Sequence, residues 1–208
     1  MRKIEKGGLA VLETWMRRNP GARYQDLVGH GEIKDAIREA CVVEQNGLCA
    51  YCCRGISAEK KSSHNEHVEA QDLAPNRTLD FQNIVASCNK SGRCGEAHRS
   101  QPLPLTPLMD ECETELQFEL SGAVEGLTER AHASIRVLNL NNRGLRDERR
   151  AMVDTLLYSN GGLGAAELRL TPDDLLDLLL DDLRQVDCEQ KLQAFSPVLV
   201  NVIQSLRA

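Results

Sequence analysis

An α+β fold is predicted by three features of the sequence. Apolar residues recur at helical spacing towards both ends of the chain, and short apolar runs separated by turn residues fill the middle. Two cysteine pairs, Cys49-x-x-Cys52 and Cys88-x5-Cys94, bracket that middle. Two thiolate pairs brought together supply the corners of a tetrahedral site without help from water, so a structural Zn2+ that staples the short strands to a helix is expected.

Residues 8 to 18 place Leu9, Leu12, Trp15 and Met16 on one helical face, and Asn19-Pro20-Gly21 ends it. A second helix is expected from Glu32 to Gln45, with Ile33, Ile37, Ala40, Cys41 and Val43 or Glu44 on its apolar side and Asn46-Gly47 as its stop. It delivers the chain into the first cysteine pair. Residues 54 to 65 are polar and turn-rich, Pro75-Asn76 interrupts any period, and Leu79 to Ala86 starts a new apolar stretch, so short strands and loops closing on a helix are expected. Pro102, Pro104 and Pro107 forbid regular helix and mark the exit.

Leu116, Phe118 and Leu120 then alternate with polar residues, Ser121-Gly122 turns, and Val124 to Leu127 returns as a hairpin. Leu145 to Tyr158 suits a helix, with Arg143, Arg146, Arg149 and Arg150 read as a solvated basic face. Thr171 is read as an N-cap with Pro172 at the first helical position and Asp173 and Asp174 in the first turn. The helix so opened carries Leu175, Leu176, Leu178, Leu179, Leu180 and Leu183, a face expected to bury. The expected division is a helical arm at 1–45, a zinc-stapled module at 46–100, and a hairpin with a helical region at 101–208.

With 208 residues, 41% of them hydrophobic and 3% aromatic, the core must be aliphatic, which favours helices over large sheets. No apolar run approaches the roughly 18 residues of a membrane span, and the start lacks the apolar stretch of a secretion signal. The expected address is therefore cytoplasmic, where thiols stay reduced and bind metal in preference to forming disulfides. Cys41, Cys112 and Cys188 are read as buried thiols and Cys53 as a neighbour of the zinc site. His64 is read as an ordinary loop histidine.

The net charge of −6 conceals a contrast: seven Lys/Arg against six acids between Leu48 and Ser100 make that module +1 and leave the remainder at −7. So slight a positive charge grips phosphates weakly, and a partner is expected to supply grip or targeting.

Between the cysteine pairs stand Glu66-His67 and Asn83. A carboxylate is a hard ligand suited to Mg2+ or Mn2+, and a neighbouring imidazole can take a proton from water near neutral pH. Together they are what hydrolysis of a phosphodiester asks for. Asn83 suits an orienting role, its amide bridging backbone groups of the loop.

The runs Leu48-Cys49-Ala50-Tyr51-Cys52, Asn65-Glu66-His67-Val68, Asp80 to Asn89 and Cys94 to His98 resemble the HNH endonucleases. Within them the likeness is to the Septu-type HNH proteins, also found with retrons, which act beside an ATPase in defence against phage. The nuclease motif covers about a quarter of the chain, and Gln45 to Cys52 and Val137 to Asn141 are similar to that subfamily too.

The resemblance implies a ββα-metal fold with His67 as general base, Glu66 as a ligand of a catalytic Mg2+ or Mn2+, and Asn83 as the central asparagine. It also implies Cys49, Cys52, Cys88 and Cys94 as zinc ligands, His98 at the last motif position with Asn89 as the weaker match, and a nucleic-acid substrate, DNA ahead of tRNA. Two departures stand out: Ala70 replaces a common proline three residues after the base, and His98 stands where lysine is usual. The rival reading is a non-catalytic zinc-binding adaptor in which Glu66-His67 is incidental.

Overall fold

A computed structural model describes residues 1–159 and 170–207. The architecture is mixed: helices α1 (Ala10–Arg18) and α2 (Gly31–Glu44) lead into an antiparallel pair, β1 (Ser63–His67) and β2 (Ile84–Cys88), closed by the short helix α3 (Gly95–His98). A second antiparallel pair follows, β3 (Leu116–Phe118) and β4 (Val124–Gly126), and then α4 (Glu129–Val137), α5 (Arg143–Ser159), α6 (Asp173–Arg184) and α7 (Ser196–Arg207). None of the described helices is long and apolar enough to cross a membrane.

Helix α2 lies across both strands of the first pair. Ile33, Ile37, Cys41 and Val42 are its buried apolar residues, whereas Val43 is 71% exposed, so the inward stripe runs through Val42 and not Val43. The Cys41 thiol donates to the Ile84 carbonyl at 3.4 Å, and burial pushes its pKa up to about 12, so it behaves as a small buried hydrophobe. At the end of α2 the Gln45 side chain acts as a strand in miniature. Its Oε1 accepts from the Ala86 N–H at 2.7 Å while Nε2 donates to the carbonyls of Ala86 and Leu48 at 2.9 and 2.6 Å. Helix and β2 are thereby fixed in register where the first cysteine pair begins.

The β1–β2 register runs from Ser63 opposite Cys88 to His67 opposite Ile84. All five residues of β2 are buried, against two of β1, so β1 is the strand that offers side chains to the surface. Further along, two asparagines clip the second hairpin into place. Asn141 accepts from the Val124 N–H and donates to its carbonyl, both at 2.9 Å, and Asn201 does the same for Phe118 N–H and Leu116 carbonyl at 2.8 and 2.9 Å. One cluster of buried side chains runs from Met1 to Ile203.

Four sequence expectations are corrected by the packing. Arg149 is not on a solvated face: it is 0% exposed, donates to the carbonyls of Leu140 at 2.8 Å and Gly122 at 3.3 Å, and lies 4.9 Å from the Phe118 ring centre. Nη1 thus meets two carbonyls and the guanidinium an aromatic face, while Nε and Nη2 are buried with no hydrogen-bond partner among the described residues. Cys188 is exposed, because it sits in the polar turn between α6 and α7. Helix α6 starts one residue later than expected, with Pro172 in extended backbone as its N-cap. Of its leucines, Leu176, Leu180 and Leu183 are buried, Leu179 packs partly buried beside them, and Leu175 and Leu178 are exposed, since one stripe of the helix faces the core.

Gly122 is buried, has φ 78°, and a Cβ there would meet the Arg146 carbonyl and Arg150 amide of α5. Gly122→Ala should therefore lower stability by about 3 kcal/mol, read as a fall in thermal midpoint, because both strain and overlap oppose it.

Candidate active site

The four cysteines converge. Cys49, Cys52, Cys88 and Cys94 are all buried, and their sulfurs lie within 4.8 Å of one another, which among the described residues is the one group of potential ligands that close together. The Cys52–Cys88 sulfur separation is 3.9 Å, against about 3.8 Å for the edge of a tetrahedron with zinc–sulfur bonds of about 2.3 Å. Backbone bonds prepare the arrangement: Cys49 N–H donates to Arg54 O at 2.8 Å, Ala50 N–H to Ala86 O at 3.1 Å, and Cys94 N–H to Leu138 O at 2.8 Å. The Cys88 N–H donates to the Cys49 sulfur at 3.3 Å.

The donor set fits Zn2+. Burial opposes ionisation of Cys49, yet hydrogen bonds from the neighbouring thiols, Cys52 first, hold its pKa well below the usual thiol value. Those same bonds keep Cys52 and Cys94 well above it. Four thiolates on one zinc carry a net charge of −2, and two buried guanidiniums, Arg93 and Arg149, feel that charge directly. Arg93 and Arg54 also share Glu148 of α5, at 2.8 and 2.9 Å, tying the knuckle to the helix behind it. Cys53 is buried beside the site with φ 61° and is not one of the four.

A second cluster lies on the face of β1 that carries Glu66. Its carboxylate is met from two sides: His98 Nδ1 stands 2.7 Å from Oε1 and His64 Nε2 stands 3.4 Å from Oε2. Burial raises the carboxyl pKa, but hydrogen bonds from His64 and His98 outweigh it, and Glu66 stays ionised below its ordinary value. His98 Nε2 is 2.8 Å from the Gln101 carbonyl, an oxygen that can only accept, so Nε2 carries a proton, while Nδ1 faces a second acceptor, the Glu66 carboxylate, and needs a further proton or a cation there.

Tyr51, 0% exposed, stacks edge-on against His98 with ring centres 6.4 Å apart, and its buried hydroxyl has no hydrogen-bond partner among the described residues. Burial and the charge of Glu66 keep that phenol protonated.

Helix α3 has four residues, and both of its flanks are unusual: Cys94 has φ 56° and Arg99 φ 52°. Such conformations cost a non-glycine residue about 1–3 kcal/mol and persist only where the surroundings impose them. Between them Gly95 packs against the site. A Cβ on it would come within 2.6 Å of His64 Nε2 and 2.7 Å of Glu66 Oε2, so only glycine lets the helix start this close.

His67 occupies the opposite face, as strand alternation requires. It is 6% exposed, packs edge-on against Tyr24 with ring centres 4.9 Å apart, and its Nε2 donates to the Thr78 carbonyl at 2.8 Å. That leaves Nδ1 as the basic nitrogen, approached by Gln71 Nε2 at 3.3 Å. Burial lowers the His67 pKa below 6.5, more than the Thr78 bond and the Glu66 charge raise it. Asn83, 1% exposed, clips the loop between the strands: Oδ1 accepts from Glu69 N–H at 2.8 Å, and Nδ2 donates to the carbonyls of Glu69 at 3.0 Å and Arg77 at 3.4 Å.

His64 is no loop residue. It sits in β1 two positions before Glu66, with Asn89 Oδ1 2.5 Å from its Nδ1, so Asn89 belongs to this histidine and not to α3. The His-x-Glu spacing was the available signal: on a strand, residues two apart share a face. Tyr51 and Gly95 had no comparable signal.

No family model matches the sequence. Over 146 residues the chain is 23% identical to the Septu protein PtuB of Bacillus thuringiensis, an alignment covering 70% of this chain and 52% of that protein. The chain thus spans about half the length of the curated relative it matches.

Stripping the cysteine site with a strong chelator should unfold the β1–β2–α3 region, since structural zinc contributes on the order of 10 kcal/mol. Cys49→Ser should purify with less than the one zinc per chain expected of the wild type, measured by elemental analysis, and zinc should leave both proteins more readily as pH falls and thiolates protonate.

Proposed function

We propose that the protein is an HNH-type endonuclease that hydrolyses nucleic-acid phosphodiester bonds, the effector of an ATPase-coupled anti-phage defence system. The observation that carries this reading is the pairing of Glu66 with His98 Nδ1, 2.7 Å away, on the strand whose next residue is a buried, tautomer-fixed His67. Zinc in the four cysteines is structural in this account, and Glu66 and His98 would hold a catalytic Mg2+ or Mn2+. Such an ion supplies positive charge to the scissile phosphate and leaving oxygen. His67 Nδ1 accepts the proton of the attacking water, and Thr78 keeps the ring in the tautomer that can do so. Asn83 holds the Glu69–Arg77 loop that carries Gln71 against His67.

The similarity to a protein named for the Septu system supports the defence role. A groove of about 290 Å³ lined by Tyr24, Lys34, Asp35, Arg38, Lys60 and His64 adjoins the site, and of its cations Arg38 and Lys60 already pair with Asp35. So little uncommitted positive charge binds a phosphate backbone weakly at physiological salt, which supports a partner that delivers the substrate. The exposed Leu175 and Leu178 on α6 suit an ATPase partner's surface. DNA is the substrate favoured here, with tRNA the second.

The test is cleavage of plasmid DNA and total tRNA with Mg2+ or Mn2+, with and without the ATPase encoded nearby. His67→Ala should keep its zinc and its fold while losing about 100-fold or more in turnover. The acid limb of the wild-type pH–rate profile should lie below 6.5, because a base with a lowered pKa stays neutral further into acid. A folded, zinc-loaded protein that cuts neither substrate under any of these conditions would leave the adaptor reading in possession.

A further inference from the structure

We infer that His64 is a third ligand of the ion held by Glu66 and His98, which makes the centre a two-histidine, one-carboxylate site that selects Mn2+ or another first-row transition metal over Mg2+. This rests on the reading that Glu66 and His98 bind a divalent cation, and adds to it a ligand and a selectivity.

The hydrogen-bond partners of the two rings fix which nitrogens carry protons. Asn89 Nδ2 donates to the Lys60 carbonyl, which fixes the amide so that Oδ1 faces His64. An amide oxygen only accepts, so His64 Nδ1 carries the proton and Nε2 presents a lone pair. That lone pair faces Glu66 Oε2 at 3.4 Å. On the other side His98, anchored through Nε2 on the Gln101 carbonyl, presents its Nδ1 lone pair to Oε1 at 2.7 Å. With both rings neutral, two acceptor nitrogens therefore converge on two acceptor oxygens, where the His98 and Glu66 side chains are 0% and 12% exposed. Such a convergence is repulsive until positive charge enters it, either as one more proton on each ring or as a cation between them.

Three features favour the cation. Both rings are tethered at the outer nitrogen to an amide oxygen, the support that metal-bound imidazoles use to hold orientation and raise basicity. Gly95 lets α3 come so close to His64 Nε2 and Glu66 Oε2 that a Cβ there would displace both. And the rings differ in exposure: His64 is 34% exposed and His98 is not, which gives an ion a way in past His64. Glu66 meets the two rings with different oxygens, and the three side chains are not drawn as close together as the four cysteines are. Ion binding should therefore pull His64 inward. Imidazole is a borderline ligand that suits first-row transition metals, while Mg2+ prefers an all-oxygen octahedron and gives up water reluctantly.

The experiment is a Mn2+ titration of zinc-loaded protein followed by the electron paramagnetic resonance signal of free Mn2+, with Mg2+ as competitor. The wild type should bind one Mn2+ per chain, and Mg2+ should displace it only at about 100-fold higher concentration. His64→Ala should weaken Mn2+ binding about tenfold or more with zinc content and melting temperature unchanged. Gly95→Ala should do the same by displacing both side chains. Electron spin-echo modulation of Mn2+ bound to the unmutated protein should show two imidazole nitrogens, a readout that needs no variant to fold.

One nitrogen, or binding that survives His64→Ala but fails in Glu66→Gln, would remove His64 from the ion while leaving the Glu66–His98 reading in place. Failure of the wild type to bind Mn2+ at all would overturn both, and protons would then hold the cluster together.

Discussion

Everything near the site depends on four sulfurs being held around one point. Helix α3 has only four residues, far too few to persist unaided, and it begins and ends in backbone conformations that a non-glycine residue avoids. It stays in place because Cys94, its N-cap, belongs to the cysteine cluster and hangs from the Leu138 carbonyl. Four residues on, the same helix delivers His98 to Glu66. The cysteines therefore do for the histidine what a longer helix would do in a larger protein. The buried Arg149 and Arg93 belong to this economy as well, since a four-thiolate zinc is a dianion in a place with little water, and a nearby cation lowers the cost of keeping it there.

The strand β1 then divides the chemistry by parity. His64 and Glu66 share one face with His98, and His67, one residue later, lies on the other among Tyr24, Thr78 and Gln71. In the proposed reaction this separation keeps the base from becoming one more ligand. A ring drawn onto the ion would lose the lone pair it needs for water, whereas His67 is held neutral by burial and fixed in one tautomer by a backbone carbonyl.

Much of this was legible in the sequence. The two outer helices, the second hairpin and the cysteine tetrad follow from local signals: helical periodicity, a Ser-Gly turn, and paired thiols with ligand spacing. The misreadings share one cause, which is that sequence shows a residue's type and not its neighbours. Arg149 reads as solvated until the free carbonyls of Leu140 and Gly122 come together to receive it. Nothing in the sequence singles out Gly95, whose importance arises only when β1 brings His64 and Glu66 against it. Val42 and Val43 cannot be ranked without knowing which way α2 rolls on the strands. His64 is the instructive case, because its alternation with Glu66 was in plain view and only the length of β1 was missing.

The central claim is that the chain holds two cations of different kind and purpose. Anomalous X-ray diffraction from crystals grown with zinc and soaked in Mn2+, recorded at both absorption edges, tests it directly. The account predicts a zinc peak enclosed by Cys49, Cys52, Cys88 and Cys94 and a separate manganese peak against Glu66 and His98. A single peak at the cysteines, with Glu66 and His98 still in direct contact, would contradict it.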